Sequence, residues 1–457
     1  MPVEQVQTLI IGGGQAGLVM SHRLKQRGLA HLVLERQRIA ERWRSERWDG
    51  LKFQFPNWSV SLPEFSFPHT DPDGFAATGE IVQFIEAYAA FVAPPIRCGV
   101  AVTRLRRNGA SGFVAETSEG EIEADNVVVA TGPYQRAVMP DLLRDDARLF
   151  QVHASRYTNP DELPPGAVLV VGSGASGAQI TEELCRAGRR VYLSVGAHTR
   201  LPRRYRGRDL IWWLGAMGID QTPVEARGPS RLLPLISGAY GGHTIDFRRF
   251  AADGVTLLGR VSAARDGVLD IAPDLGKSLV EGEATYAIFL DMVDAHVEKH
   301  GLKLPQEPGA RAMLPDPPCV TEPLRRLDLS ADGIGAVIWA TGYGLDFGWI
   351  EIPVLDKRGE PVHRRRARSV FPRPAMAVED EILFPLRSRR RRRRARRSHR
   401  RAALIADLKL SRFSSWPGSS RPSTSFLLWH AKTWMPGTRP GMTSFAGTPV
   451  KPPLQAK

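Results

Sequence analysis

An apolar run, Val6-Gln7-Thr8-Leu9-Ile10-Ile11, passes straight into Gly12-Gly13-Gly14-Gln15-Ala16-Gly17, and this junction constrains the chain more than any other stretch. Of the spaced glycines, Gly12 permits a sharp turn, Gly14 lets backbone approach a diphosphate, and Gly17 lets the following helix pack on the strand. Gln15 and Ala16 open that helix and present unpaired N–H groups at its positive end. A second strand, His31-Leu32-Val33-Leu34, ends in Glu35, where an acid is expected to hold a ribose hydroxyl. Glycine-rich turns are common, but here the device recurs. Val168-Leu169-Val170-Val171 runs into Gly172-Ser173-Gly174-Ala175-Ser176-Gly177, 160 residues after the first. Its next strand, Arg190-Val191-Tyr192-Leu193, ends in Ser194 instead of an acid, and His198, Arg200, Arg203 and Arg204 follow. An acid would repel a ribose 2′-phosphate, whereas a hydroxyl with nearby guanidiniums would bind one. The second site is therefore expected to prefer NADPH to NADH; ordinary surface arginines are the alternative.

A second repeated element supports the pairing. Asn126-Val127-Val128-Val129 runs into Ala130-Thr131-Gly132, and Ala336-Val337-Ile338-Trp339 runs into Ala340-Thr341-Gly342-Tyr343. A strand ending in Ala-Thr-Gly suits close approach of backbone to a bound dinucleotide. Between the first turn and its Ala-Thr-Gly lie Trp43-Arg44 and a dense aromatic, arginine and proline stretch to Trp58. Trp43 is a candidate wall for a flat ring and Arg44 a candidate for phosphate or carbonyl; an aromatic core corner is the other reading. Periodicity predicts a helix from Glu80 to Phe91, a three-stranded meander over 98–129, an apolar helix at Trp212-Trp213, and an amphipathic helix from Thr285 to His300. His243 reads as a hydrogen-bonded turn residue.

The totals limit the function classes. At 457 residues the chain is long enough for two or three domains, and no apolar run approaches the roughly 18–20 residues of a spanning helix. No basic and apolar leader precedes the first strand. Cys98, Cys185 and Cys319 are far apart in sequence, with no redox or zinc spacing, which fits a reducing cytoplasm. The net charge of +14 is local: residues 387–401 hold eleven arginines and no acid, and without them the chain stands at +3. No specific nucleic-acid partner and no membrane are expected. A basic-tailed nucleic-acid or membrane binder remains the reading from a different class, testable by a salt-dependent shift that is lost with the tail.

Two glycine turns, an acid after only the first, and paired Ala-Thr-Gly strand ends resemble the two-dinucleotide-binding-domain flavoproteins. Within them, residues 3–362 are similar to the flavin-containing monooxygenase family, in its shorter bacterial and YUCCA-like branch. The family's fingerprint Phe-x-Gly-x3-His-x3-aromatic is half present: His153 to Tyr157 supply the second half, while Ala147 and Leu149 replace the Phe and Gly. The resemblance implies an α/β fold of two Rossmann-type domains, the NADPH domain inserted in the FAD domain. Its expected limits are 1–165 for FAD, 166–321 for NADPH, 322–362 for a return to FAD, and a tail over 363–457. It also implies FAD held by Gly12, Gly14, Gly17 and Glu35 with Trp43-Arg44 over the flavin, and NADPH held by Gly172, Gly174 and Gly177. The implied chemistry is hydride transfer from NADPH to FAD, capture of O2 as a flavin C4a-hydroperoxide, and oxygen transfer to a small N-, S- or carbonyl-containing substrate. Asn57, beside the flavin loop, is the candidate hydrogen bond near the flavin's reactive edge; a turn-forming Asn is the alternative. A flavoprotein reductase without oxygen transfer stays open.

Past His363 the family pattern stops. A strand, a Gly-Leu-Pro-Trp-like turn and a Gly-x-Gly-Asp-Asp-Ala helix opening should follow, and Arg364-Arg365-Arg366 and the arginine run stand there instead. Arginine codons of the CGN type, read one base later in a run, encode only Gly, Asp, Ala or Val, the composition of the missing helix. The tail is therefore read as out-of-frame translation beginning near residues 363–370, with disorder expected over 413–457 and weak flavin binding or an inactive product as the consequence. The alternative is a genuine basic extension, and sequencing the gene separates the two.

Overall fold

The computed structural model describes residues 3–109, 112–143, 149–219 and 234–362, and the backbone of 386–387. Apart from that backbone, the tail and its expected disorder lie outside the described residues, as does Ala147.

The first sheet is built from β1 (Glu4–Ile11), β2 (Leu32–Glu35), β3 (Ile96–Cys98), β4 (Val102–Arg107), β5 (Phe113–Thr117) and β6 (Gly120–Val129). Their spatial order is β3-β2-β1-β6-β5-β4. β6 does two jobs. Its start, Gly120 to Ala124, pairs antiparallel with β5 and closes the expected meander, while Ile122 to Val129 pair parallel with β1. Leu386–Arg387 pairs antiparallel with β6 at Val127 and Asn126. Leu9, Ile10, Val33, Val127 and Val129 are buried, as a parallel sheet covered on both faces demands. Helices α1 (Gln15–Lys25), α2 (Glu41–Ser45) and α3 (Thr78–Val92) follow in the chain. α3 buries Ile81, Phe84, Ile85 and Tyr88 on one face, the stripe that periodicity indicates. It starts two residues early because the Glu80 carboxylate accepts from the Ala77 N–H at 2.7 Å.

The second sheet is wholly parallel. It contains β7 (Phe150–His153), β8 (Ala167–Val171), β9 (Val191–Ser194) and β10 (Thr256–Leu258), with α4 (Ala175–Arg186) after β8. α5 (Leu210–Ala216) carries Trp212-Trp213 and is capped by Asp209, whose carboxylate accepts from the Ile211 N–H at 2.8 Å. α6 (Phe247–Ala252) precedes β10; β11 (Val261–Arg265), β12 (Val268–Ile271) and β13 (Arg326–Asp328) form an antiparallel flank. α7 (Leu275–His300) begins ten residues before the expected Thr285.

Two domain limits differ from expectation. The strand β14 (Ile334–Trp339) pairs parallel with β8 on one side and with β7 on the other, so the second sheet runs β7-β14-β8-β9-β10. Neither β7 nor the stretch from 322 to 342 belongs to the first sheet. The reason is burial: Ala336, Val337, Ile338 and Trp339 have no exposed surface, which a strand reaches only at the middle of a covered parallel sheet. The chain returns to the first unit later. There the Leu105 N–H donates to Trp349 O and the Glu351 N–H to Leu105 O, each at 2.8 Å, and Phe347, Ile350 and Ile352 join its core. Among the described residues no helix is long and apolar enough to cross a membrane.

Candidate functional site

Each glycine turn is locked to the Ala-Thr-Gly end of the neighbouring strand. Gly12 has φ of +112°, and a Cβ on it would stand 2.3 Å from the Ala130 carbonyl oxygen; Gly172 has φ of +106° and would meet Ala340 O at 2.5 Å. The two repeated motifs come in pairs because the alanine carbonyl occupies the place a side chain would take. Gly17 and Gly177 touch the carbonyl of the first glycine in their own turn and hold the helix against the strand. Gly14 and Gly174, by contrast, have no atom within 4 Å of a would-be Cβ. They cap the N-termini of α1 and α4, which carry no side-chain cap. Their free N–H groups therefore face open space.

That space is a single cavity of about 640 Å³ between the two units. From the first unit it is lined by Gly12, Gly14, Gln15, Ala16, Glu35, Trp43 and Ala130 to Gly132, and from the second by Gly174, Ser176 and Ala340 to Gly342. Gly17, Gly172 and Gly177 support the turns and do not line it. The Glu35 carboxylate accepts from the N–H groups of Gly13 at 2.7 Å and Gln37 at 3.0 Å, which fixes it at the end of β2. Gln15 Oε1 is buried with no partner of its own. Two uncapped helix ends, two open glycines, a fixed acid and an orphaned amide oxygen fit dinucleotides. His153 also lines the cavity, its Nε2 3.0 Å from Gly342 O and its Nδ1 2.9 Å from Ser155 Oγ. Among the described residues no group of three or more metal-ligating side chains occurs.

Several expected site residues are engaged elsewhere. Arg44 turns away from the cavity and pairs with Glu86 on α3. Trp43 does face the cavity, edge-on to Phe53 at 5.6 Å. Asn57 does not: its Nδ2 donates to Asp71 O at 2.9 Å and its N–H to Gly74 O, so it ties a turn. Asn57→Ala is expected to cost about 1 kcal/mol of stability without changing flavin content, checked by urea unfolding and absorbance. Ser194 is buried, donating to Gly259 O at 3.0 Å. Arg200 pairs with Asp246 at 2.6 Å, Arg203 with Asp209 at 2.8 Å, and Arg204 donates to Gly242 O at 2.9 Å. None of the four lines the cavity, because each is held by other partners: Ser194, Arg200 and Arg204 within the second unit, and Arg203 by Asp209 and by Gln54 O of the first. His243 sits in its turn, Nδ1 3.4 Å from Ala239 O. Arg36, Arg38, Arg42 and Arg47, none of them a candidate from sequence, do line the cavity, as does His198, to which the sequence gives no role there. Their signal was only nearness in sequence to Trp43 and to Ser194.

Burial holds His153 and His198 below their ordinary pKa of 6.5. Each gains a proton on unfolding below that value, so the stability they contribute is present above pH 6.5 and lost as pH falls further. Urea midpoints compared at neutral and mildly acidic pH are expected to fall, with a slope of up to about 1.4 kcal/mol per pH unit for each histidine.

Comparison with known proteins agrees with this geometry. A family model described as pyridine nucleotide-disulphide oxidoreductase matches residues 9–208. An uncharacterized CzcO-like oxidoreductase of Geobacillus kaustophilus is 32% identical over 369 residues, 80% of this chain and 88% of that protein. The probable indole-3-pyruvate monooxygenase YUCCA1 of Arabidopsis thaliana is 32% identical over 247 residues, 52% of this chain and 58% of its own length. A flavin-containing monooxygenase from Stenotrophomonas maltophilia shares the fold, with a TM-score of 0.52 at 17% identity over 79% of this chain and 86% of its own. With the twin turns, the paired strand ends and a relative matched over most of its length, the chain is an oxidoreductase of the CzcO-like branch of the flavin-containing monooxygenase family.

Proposed function

We propose that this enzyme binds FAD and NADPH in the shared cavity and acts as a monooxygenase on a small N-, S- or carbonyl-containing substrate. One observation carries the reading: the open glycines of both turns, Gly14 and Gly174, face one cavity, so two dinucleotides would meet there. On this reading the N–H groups from Gly14 to Ala16 hold the FAD diphosphate and Glu35 a ribose hydroxyl, while those from Gly174 to Ser176 hold NADPH. Trp43 walls the ring, and the Ala130–Gly132 and Ala340–Gly342 ends bring backbone against the two cofactors. Bound FAD would supply hydride acceptance from NADPH and reaction with O2. Bound NADPH would supply two electrons, so that one oxygen atom of O2 would go to the substrate and the other would leave as water with two protons. The residues contribute binding, orientation and exclusion of water; Trp48, Leu51, Phe53, Phe55, Ile85 and Leu235 give the cavity an apolar side suited to that last role. The relative's name gives indole-3-pyruvate as the substrate of that protein, and the aromatic wall suits a flat substrate here.

A disulfide reductase on this scaffold would need a cysteine pair beside the flavin. All three cysteines are free, and none lines the cavity among the described residues. The test is the absorbance spectrum of the purified protein with NADPH under air, together with oxygen uptake. A flavin spectrum and substrate-dependent oxygen consumption are expected; NADPH oxidation without either substrate dependence or product oxygenation would overturn the reading.

A further inference from the structure

Four arginines stand on the cavity wall that follows β2: Arg36, Arg38, Arg42 and Arg47. Arg38 meets Glu41 and Arg42 meets Glu46, each at 2.6 Å. Arg47 meets no carboxylate among the described residues. Its guanidinium lies over the rings of Trp43 at 5.2 Å and Tyr134 at 5.4 Å, and its Nη1 donates to the backbone oxygen of Glu46 at 2.6 Å. Glu35 is held by the backbone instead, each of its oxygens accepting from an N–H group. Arg42 feels the positive charge of both Arg36 and Arg47. The cavity thus carries four guanidiniums and four carboxylates, Glu35, Glu41, Glu46 and Asp346, yet among the described residues none of these acids pairs with Arg47.

Two aromatic faces hold the Arg47 plane and leave in-plane N–H groups for a ligand, a fork that matches a pair of oxygens on one atom. We propose that Arg47 is the anion anchor of this cavity, taking an oxyanion of the phosphate or carboxylate type. The inference rests on the cavity being the reactive site. Two sources supply that chemistry: a phosphate of the dinucleotide, or a carboxylate on the substrate. Arg44, three residues earlier and facing Glu86, is the internal control.

The experiment is calorimetric titration of the full chain, as purified, with NADP+, with 3-phenylpropionate, and with the neutral 3-phenylpropanol. Arg47→Gln is expected to weaken at least one of the two anions by about ten- to hundredfold and leave the alcohol unchanged. Loss confined to NADP+ identifies the dinucleotide phosphate; loss confined to the acid identifies a substrate carboxylate. Arg47→Lys keeps the charge without the fork and is expected to lose about three- to tenfold, while Arg44→Gln stays within twofold. If Arg47→Gln binds both anions within twofold of the parent, the proposal fails. Should that variant not fold, Arg47→Lys within twofold for both anions is equally decisive. Binding is read without turnover, so absent oxygen uptake would overturn the monooxygenase reading and leave this one standing.

Discussion

Replacing Gly12 with alanine is expected to cost about 3–5 kcal/mol and to leave little folded protein. Two effects add. The backbone there has φ of +112°, outside what an L side chain adopts readily, and the new Cβ would sit 2.3 Å from the Ala130 carbonyl oxygen. That oxygen cannot step aside, because β6 is held to β1 through the hydrogen bond from Ala130 N to Ile11 O at 2.7 Å. With total stabilities of roughly 5–15 kcal/mol, such a loss is a large share. Gly14→Ala is the informative partner. Its backbone, at φ of −75°, suits any residue, and its Cβ meets nothing within 4 Å. Stability is expected to change by less than about 0.5 kcal/mol while flavin retention falls, since the methyl group would stand where a diphosphate must approach. Urea unfolding and flavin absorbance after gel filtration separate the two variants; equal behaviour would show that the turn is structural only.

The second large effect is expected at Arg203. Its side chain is fully enclosed, with 1% of its surface exposed. Nε donates to Asp209 at 2.9 Å, Nη1 donates to Gln54 O at 2.5 Å, and the guanidinium lies 4.5 Å from the Phe75 ring. Burial pulls its pKa down and Asp209 opposes that. Arg203→Ala strands the Asp209 carboxylate, whose side chain is 9% exposed, and frees the Gln54 carbonyl, at a cost of about 3–5 kcal/mol. Because Gln54 follows α2 while Arg203 follows β9, the same bond ties the two units. The double variant Arg203→Met/Asp209→Asn removes both charges, keeps an N-cap on α5, and is expected to regain most of the loss. A double-mutant cycle by urea unfolding measures the coupling.

These two sites also mark what the sequence made legible. The twin turns and their Ala-Thr-Gly partners are written in residue type, because close backbone contact admits almost nothing else. Glu35 is likewise fixed by its position at the end of β2. The arginines are different. Arg200, Arg203 and Arg204 stand near Ser194 in sequence, yet each points to a partner that the order of residues does not reveal: Asp246, Gln54 and Gly242. Arg44 and Arg47 are alike in composition, and only the fold decides that one faces Glu86 and the other the cavity. The limits of the second unit are hidden from the sequence for a related reason. Both Ala-Thr-Gly strands read alike, and nothing local says that Ile334–Trp339 belongs beside Ala167–Val171.

That late strand has a consequence for how the protein is made. The parallel ladder of the first sheet is complete once residue 129 has left the ribosome, since β1, β2, β3 and β6 all precede it. The second sheet must wait about 160 residues after β8 before β14 arrives to fill the gap between β7 and β8. Throughout that interval two strand edges stand open in a growing chain, a state prone to wrong pairing with neighbours. Slow translation between β8 and β14 would lengthen this exposure, so the yield of folded enzyme should depend on the pace of synthesis across residues 172–339.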